Sequence, residues 1–155
     1  MPKIEHSIEI HASQDRVWEI ISDLDNEADY WYGTSNVRTI SKESDFVINR
    51  EITQNFRKHR ILQKAFIHPK DSIEIKYLKG LTEGVKIVSI SETTLGIVNL
   101  KAYWDVHFPG IYVLVSPIIG RHISKGTVNA LERIKAAAEG RPLPDTESEK
   151  VSKPS

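Results

Sequence analysis

Residues 116–140, SPIIGRHISKGTVNALERIKAAAEG, decide how the rest of the chain is to be read. Ser116 before Pro117 has the character of a helix N-cap and first helical residue, and Gly140 before Pro142 marks a stop. Ile119, Ile123, Thr127, Ala130, Leu131, Ile134 and Ala138 recur at three- and four-residue steps, which makes one apolar stripe. Arg121, Lys125, Glu132, Arg133 and Lys135 fall mostly on the opposite side. A helix of this length is held in water by what its apolar face covers rather than by propensity. It therefore needs a broad surface to lie on.

The residues before it supply a sheet. From Val37 onward the chain reads as strand almost throughout, in the stretches Val37 to Ser41, Phe46 to Thr53, Arg57 to Ile67, Ser72 to Leu78, Gly84 to Ile90 and Gly96 to Phe108. Short polar breaks separate them: Lys42-Glu43-Ser44, Gln54-Asn55, Pro69-Lys70-Asp71, Lys79 to Glu83 and Glu92-Thr93-Thr94. Breaks this short are hairpin connections, so the strands form an antiparallel meander. Strands this long coil as they twist and leave a concave side. The long helix is expected to lie across it.

Upstream, Lys3 to His11 alternates, with Ile4, Ile8 and Ile10 on one face and Lys3, Glu5, Ser7 and Glu9 on the other. His6 shares the apolar face, as a satisfied edge histidine or as a ligand contact. Ser13 caps a short helix with Asp15 in its first turn and Val17, Ile20, Ile21 and Leu24 as its buried stripe. Glu27 to Tyr32 adds another turn or two. The run Tyr30-Trp31-Tyr32 before Gly33 is dense in aromatics for a connection, which marks a pocket wall or a contact surface for a protein partner. After Gly140, residues 141–155 carry three prolines and few aliphatics, so they read as a flexible tail beyond a domain at 1–140.

Composition narrows the function. One domain of 155 residues has 21 basic and 21 acidic side chains, without the basic excess of a nucleic-acid binder. With no cysteine, disulfides, thiolate metal sites and cysteine nucleophiles are excluded. No apolar run is long enough for a membrane span, and MPKIEHSIEI reads as strand rather than signal peptide, so a cytoplasmic location is expected.

The element order, together with VWEIISDLDNEADYW at 17–31, resembles the START-like or SRPBCC superfamily, which includes the polyketide cyclase/dehydrase, Bet v 1-like and coenzyme Q-binding types. Val17, Trp18, Asp23 or Asp25, and Trp31 stand where that loose motif has its residues, and the resemblance covers about residues 3 to 139. It implies an α+β helix-grip fold: a seven-stranded curved antiparallel sheet around a long C-terminal helix, with two short helices after the first strand. It also implies an internal cavity for a hydrophobic small molecule. The basic fourth strand, Arg57 to Ile67, departs from the common pattern and leaves its facing open.

Alternation nominates the wall of such a cavity. Phe46, Ile48 and Ile52 share a face with Arg50; Ile61, Ala65 and Ile67 share one with His59 and Gln63, although Leu62 and Phe66 argue for the opposite register. Ile73 and Ile75 go with Tyr77, and Val98 to Phe108 with Trp104. The candidate ligand-binding set is Trp31, Ile48, Arg50, Gln63, Ile75, Tyr77, Trp104, Ile123 and Thr127. The alternative is a plain core in which these side chains meet. Arg50 must find an anion, carbonyls or water, since an unpaired buried charge is prohibitive. It grips a ligand's oxygen-rich end, pairs with a neighbouring strand or takes a rim position in solvent.

Nothing in the pattern names a catalyst. The six histidines His6, His11, His59, His68, His107 and His122 form no closely spaced ligand pair, so neither metal nor cofactor is expected. Ser116 and Ser124 have no acid–base partner in the pattern. Arg50 with Tyr77, or His59 with Gln63, could serve general acid–base chemistry of the cyclase/dehydratase kind. The leading expectation is a carrier or sensor of a lipid, isoprenoid quinone or polyketide-like compound; the alternative is a cyclase/dehydratase-type enzyme working in the same cavity.

Overall fold

A computed structural model of the chain describes residues 3–54, 59–79, 82–108 and 110–144. The elements run β1 (Lys3–Ile10), α1 (Gln14–Ile21), a 3-10 turn (Leu24–Asp29), β2 (Thr34–Ser44), β3 (Val47–Gln54), β4 (His59–His68), β5 (Ser72–Lys79), β6 (Glu83–Thr94) and β7 (Ile97–His107). A second 3-10 segment (Gly110–Val115) leads into α2 (Ser116–Ala138). The strands make one seven-stranded antiparallel sheet in the order β1-β7-β6-β5-β4-β3-β2, with α2 lying against β1, β7 and α1. This is the α+β helix-grip arrangement.

Alternation decides which side chains face the helix. Val98, Leu100, Ala102, Trp104 and Val106 of β7 are buried, as are Ile73, Ile75 and Tyr77 of β5. On β4 the buried residues are Ile61, Gln63 and Ala65, which settles the open register. Phe66 faces outward, with the ammonium groups of Lys64 and Lys76 at 5.8 and 5.2 Å from its ring centre. Gly84 permits a close approach within the sheet: its φ is +125°, and a Cβ there would stand 2.2 Å from the Asp105 carbonyl oxygen.

Several expected boundaries shift. β2 continues through Lys42-Glu43-Ser44, and the turn falls on Asp45-Phe46, so Phe46 is exposed instead of facing inward with Ile48. β6 likewise runs through Glu92-Thr93-Thr94, and Gly96, with φ +81°, makes the turn. Hairpin strands outlast their apolar stretch because ladder bonding does not require apolar side chains. β2 is an edge strand with register shifts after Ser35, Thr39 and Lys42, which leave it a poor template for another chain. The expected start of β4 at Arg57, the Gln54-Asn55 connection at Asn55 and most of the tail lie outside the described residues.

Ser13 caps α1 as expected, its Oγ accepting the Arg16 N–H at 3.1 Å. Ser116 does not cap α2: the preceding 3-10 segment runs straight in, Val115 occupies the cap position, and no side chain caps it. The largest departure is Arg133, expected on the polar side of α2 and instead fully buried. Three residues beyond Ala130 it belongs geometrically to the apolar stripe. Its Nη1 donates to the Tyr30 carbonyl at 2.7 Å, and its guanidinium carbon lies 3.4 Å from the Tyr32 ring centre. That clamp fixes the aromatic segment to the long helix.

Candidate functional site

The two halves of α2 do different work. Its C-terminal half, through Ala130, Leu131 and Ile134, is buried in the same core as Val17, Ile20 and Ile21 of α1. Its N-terminal half carries Ile119, Ile123, Gly126 and Thr127 over an unfilled space. The Thr127 hydroxyl is turned back onto its own helix, donating to the Ile123 carbonyl at 2.7 Å. The opposite wall comes from Ile52 of β3, Tyr77 of β5, Lys86 of β6 and Trp104 of β7, with Trp31 and Thr34 from the clamped segment closing one side. The cleft holds a cavity of about 50 Å³ that opens to solvent.

A smaller void of about 20 Å³ lies toward α1, lined by Leu24, Ile75 and Ile134 among others. Trp31 and Lys86 line both spaces and form the partition between them. The Trp31 ring meets Trp104 edge-on, centres 6.2 Å apart, and Trp104 meets Tyr77 at 6.0 Å.

A buried ionic set lies beside this wall. Arg50 Nη2 donates to Glu27 Oε1 at 2.6 Å, Arg50 Nε donates to Gln63 Oε1 at 2.8 Å, and Lys86 Nζ stands 3.8 Å from Glu27 Oε2. Lys86 Nζ also lies 3.3 Å from the Trp31 ring centre and 5.0 Å from that of Trp104. Burial alone would raise the Glu27 carboxyl, but Arg50 and then Lys86 outweigh it and hold it below its ordinary value. Burial pushes the Lys86 ammonium down to about 8; Glu27 works against that shift and Arg50 adds to it. The Tyr77 hydroxyl is pushed upward by burial and by Glu27, so it remains a neutral donor.

Of the nine residues nominated from sequence, Trp31, Tyr77, Trp104, Ile123 and Thr127 come together on the cleft. Ile75 lines the smaller void, and Ile48 is core. Arg50 and Gln63 are buried beside the cleft without lining it, and the contacts of Arg50 are those of an ion pair, made to Glu27 of the 3-10 turn instead of a neighbouring strand. The pairs put forward for acid–base chemistry do not assemble on the cleft: only Tyr77 reaches it, and His59 meets Tyr112 edge-on at 6.2 Å. Ser124, expected to have no partner, has its Oγ 2.7 Å from His6 Nε2, a link between β1 and α2 away from the cleft.

Lys86, Glu27 and His122 were missed as site residues. Lys86 had a legible signal, since it shares the inward phase of β6 with Val88 and Ile90 and pairs across to Ile75 and Trp104. Among the described residues no group of three or more acidic or histidine side chains could hold a metal ion, and no helix is long and apolar enough to cross a membrane.

No family model matches the sequence, and no curated protein matches it. Solved structures do. The ZhuI aromatase/cyclase from Streptomyces sp. R1128 superposes with a TM-score of 0.74 at 14% identity, over 89% of this chain and 93% of that one. A START superfamily protein from Mycobacterium smegmatis gives 0.65 at 12% identity, over 89% and 97%. Norcoclaurine synthase from Thalictrum flavum, solved with dopamine and hydroxybenzaldehyde, gives 0.66 at 16% identity, over 91% and 88%. At these identities the likeness is one of fold, and the fold is of the START/SRPBCC type.

Proposed function

We propose that the chain reversibly binds a hydrophobic small molecule, of the lipid, isoprenoid-quinone or polyketide-like kind, in the cleft between α2 and the sheet. The observation that carries this is the unfilled cleft itself, walled by Trp31, Trp104, Ile119 and Ile123, with a cavity volume of about 50 Å³. Protein interiors are close-packed, with few voids larger than a water molecule, and a mostly apolar cleft with a few polar groups has the make-up of a ligand site. A ligand losing about 200 Å² of apolar surface there would gain on the order of 5 kcal/mol before ordering costs. The START-type fold supports the same reading, and we take the setting to be cytoplasmic. Docking of a protein through Tyr30, Trp31 and Tyr32 is less favoured, because Tyr30 and Trp31 pack on the core and Tyr32 on Arg133.

A second reading, turnover of the cyclase/dehydratase kind, rests on Lys86 and Tyr77 facing the cleft with Glu27 behind them. It would place the acid–base work on Lys86 in place of Arg50. Titration with a neutral apolar fluorophore, N-phenyl-1-naphthylamine, tests the binding reading. Saturable one-to-one binding is expected for the native chain and its loss in Ile123→Glu. A folded Ile123→Glu protein that binds as tightly would remove the cleft from the account.

A further inference from the structure

The buried set of Arg50, Glu27 and Lys86, of which Lys86 lines the cleft, carries one more positive charge than negative. Arg50 Nη2 takes Glu27 Oε1 at 2.6 Å, and that pair is neutral as a unit. Lys86 Nζ, at 3.8 Å from Glu27 Oε2, is beyond hydrogen-bonding distance, and no other carboxylate pairs with it among the described residues. It also stands 3.3 Å from the Trp31 ring centre and 5.0 Å from that of Trp104, and rings answer a cation only partly. The other titratable or charged groups around it are Arg50 on β3, Tyr77 on β5 and His122 on α2, and none of these brings a negative charge.

Beside Lys86 stands a donor with no acceptor. Trp104 lines the same cleft, and its indole N–H is buried without a hydrogen-bond partner. A buried donor without an acceptor is costly. A cation with no acceptor within hydrogen-bonding distance and an N–H with none at all, on adjacent strands of one cleft wall, suit a single anionic oxygen group.

We infer that the natural ligand is an acid: an apolar body with a carboxylate, or an equally acidic phenol, seated against Lys86 Nζ and the Trp104 N–H. The inference rests on the reading of the cleft as a binding site, and it adds the chemical class of the ligand. The ligand's charge completes the Arg50–Glu27–Lys86 set, so the apolar body supplies affinity and the acid supplies orientation. Burial pushes the Lys86 ammonium down to about 8 against the pull of Glu27, and that value sets the pH window of the test.

The test compares 2-naphthoate with its neutral counterpart 2-naphthamide, followed by tryptophan quenching from pH 6 to 10. The native chain should bind naphthoate at least about tenfold more tightly at pH 7, and the preference should decline above about pH 8 as Lys86 loses its proton. Lys86→Met should bring the two probes to within about twofold of each other. If naphthamide binds as tightly as naphthoate, or if the preference survives either pH 10 or Lys86→Met, the acid inference is overturned while the cleft remains a binding site. If neither probe binds, the cleft reading is overturned and the inference with it. The pH profile of the native chain decides the matter even where the variant does not fold.

Discussion

Arg50 Nη2 stands 2.6 Å from Glu27 Oε1, and the two side chains are only 1% and 7% exposed. The pair joins β3 to the 3-10 turn that leads into Trp31, so the wall of the cleft depends on it. Breaking a buried ion pair from one side strands the other charge. Glu27→Gln should therefore lower stability by about 3–5 kcal/mol in urea denaturation, and the double variant Glu27→Gln/Arg50→Met should recover most of that loss. A single variant costing under about 1 kcal/mol would show the pair to be incidental.

Lys86 gives the opposite sign. Its ammonium titrates at about 8 in the fold against an ordinary 10.5, so the unfolded chain holds that proton more firmly. Between those values this group makes the fold more stable as pH rises. Lys86→Met removes the penalty, so it should raise stability by about 1–3 kcal/mol at pH 7, with the gain closing as pH approaches 10.5. Thermal melts of both proteins across that range check it; a destabilised variant at pH 7 would contradict it.

Gly84→Ala tests the close approach of β6 to β7. A methyl group would press on the Asp105 carbonyl oxygen at 2.2 Å from a backbone with φ +125°. The expected loss is about 2–4 kcal/mol, read by denaturation, and an unchanged midpoint would refute the strain argument.

The C-terminal end of α2 is fastened by Glu139, whose Oε2 accepts from Lys135 Nζ and from the His11 N–H, each at 2.8 Å. The Lys135 bond, then the His11 N–H, then Arg141 hold its carboxyl down at about 2 against an ordinary 4.5. That contribution is complete above pH 4.5 and is lost as pH falls toward 2. Glu139→Gln should cost about 1–2 kcal/mol at pH 7, with the difference from the native chain vanishing near pH 2. A pH-independent difference would show that charge plays no part.

The sheet and its clamping helix were legible because alternation and the three- and four-residue stripe report burial directly. Val98 to Phe108 and Ile119 to Ile134 needed nothing more. The strand ends were harder to read, since Lys42 to Ser44 and Glu92 to Thr94 hold their places through backbone bonding that leaves no trace in hydrophobicity. The ionic set was only half legible. Arg50 stood out among inward aliphatics, but its partner Glu27 comes from a short turn with no periodicity to place it. Arg133 was assigned to the polar side by its charge, although its spacing from Ala130 puts it on the buried stripe.

The most direct test of the account is native mass spectrometry of gently purified protein, with Thr127→Phe beside it as a variant that fills the cleft. The account predicts that the native chain carries or takes up an apolar compound, one per chain, and that a folded Thr127→Phe protein does not. Equal uptake by both, or none by the native chain when offered lipids, quinones and aromatic polyketides, would contradict it.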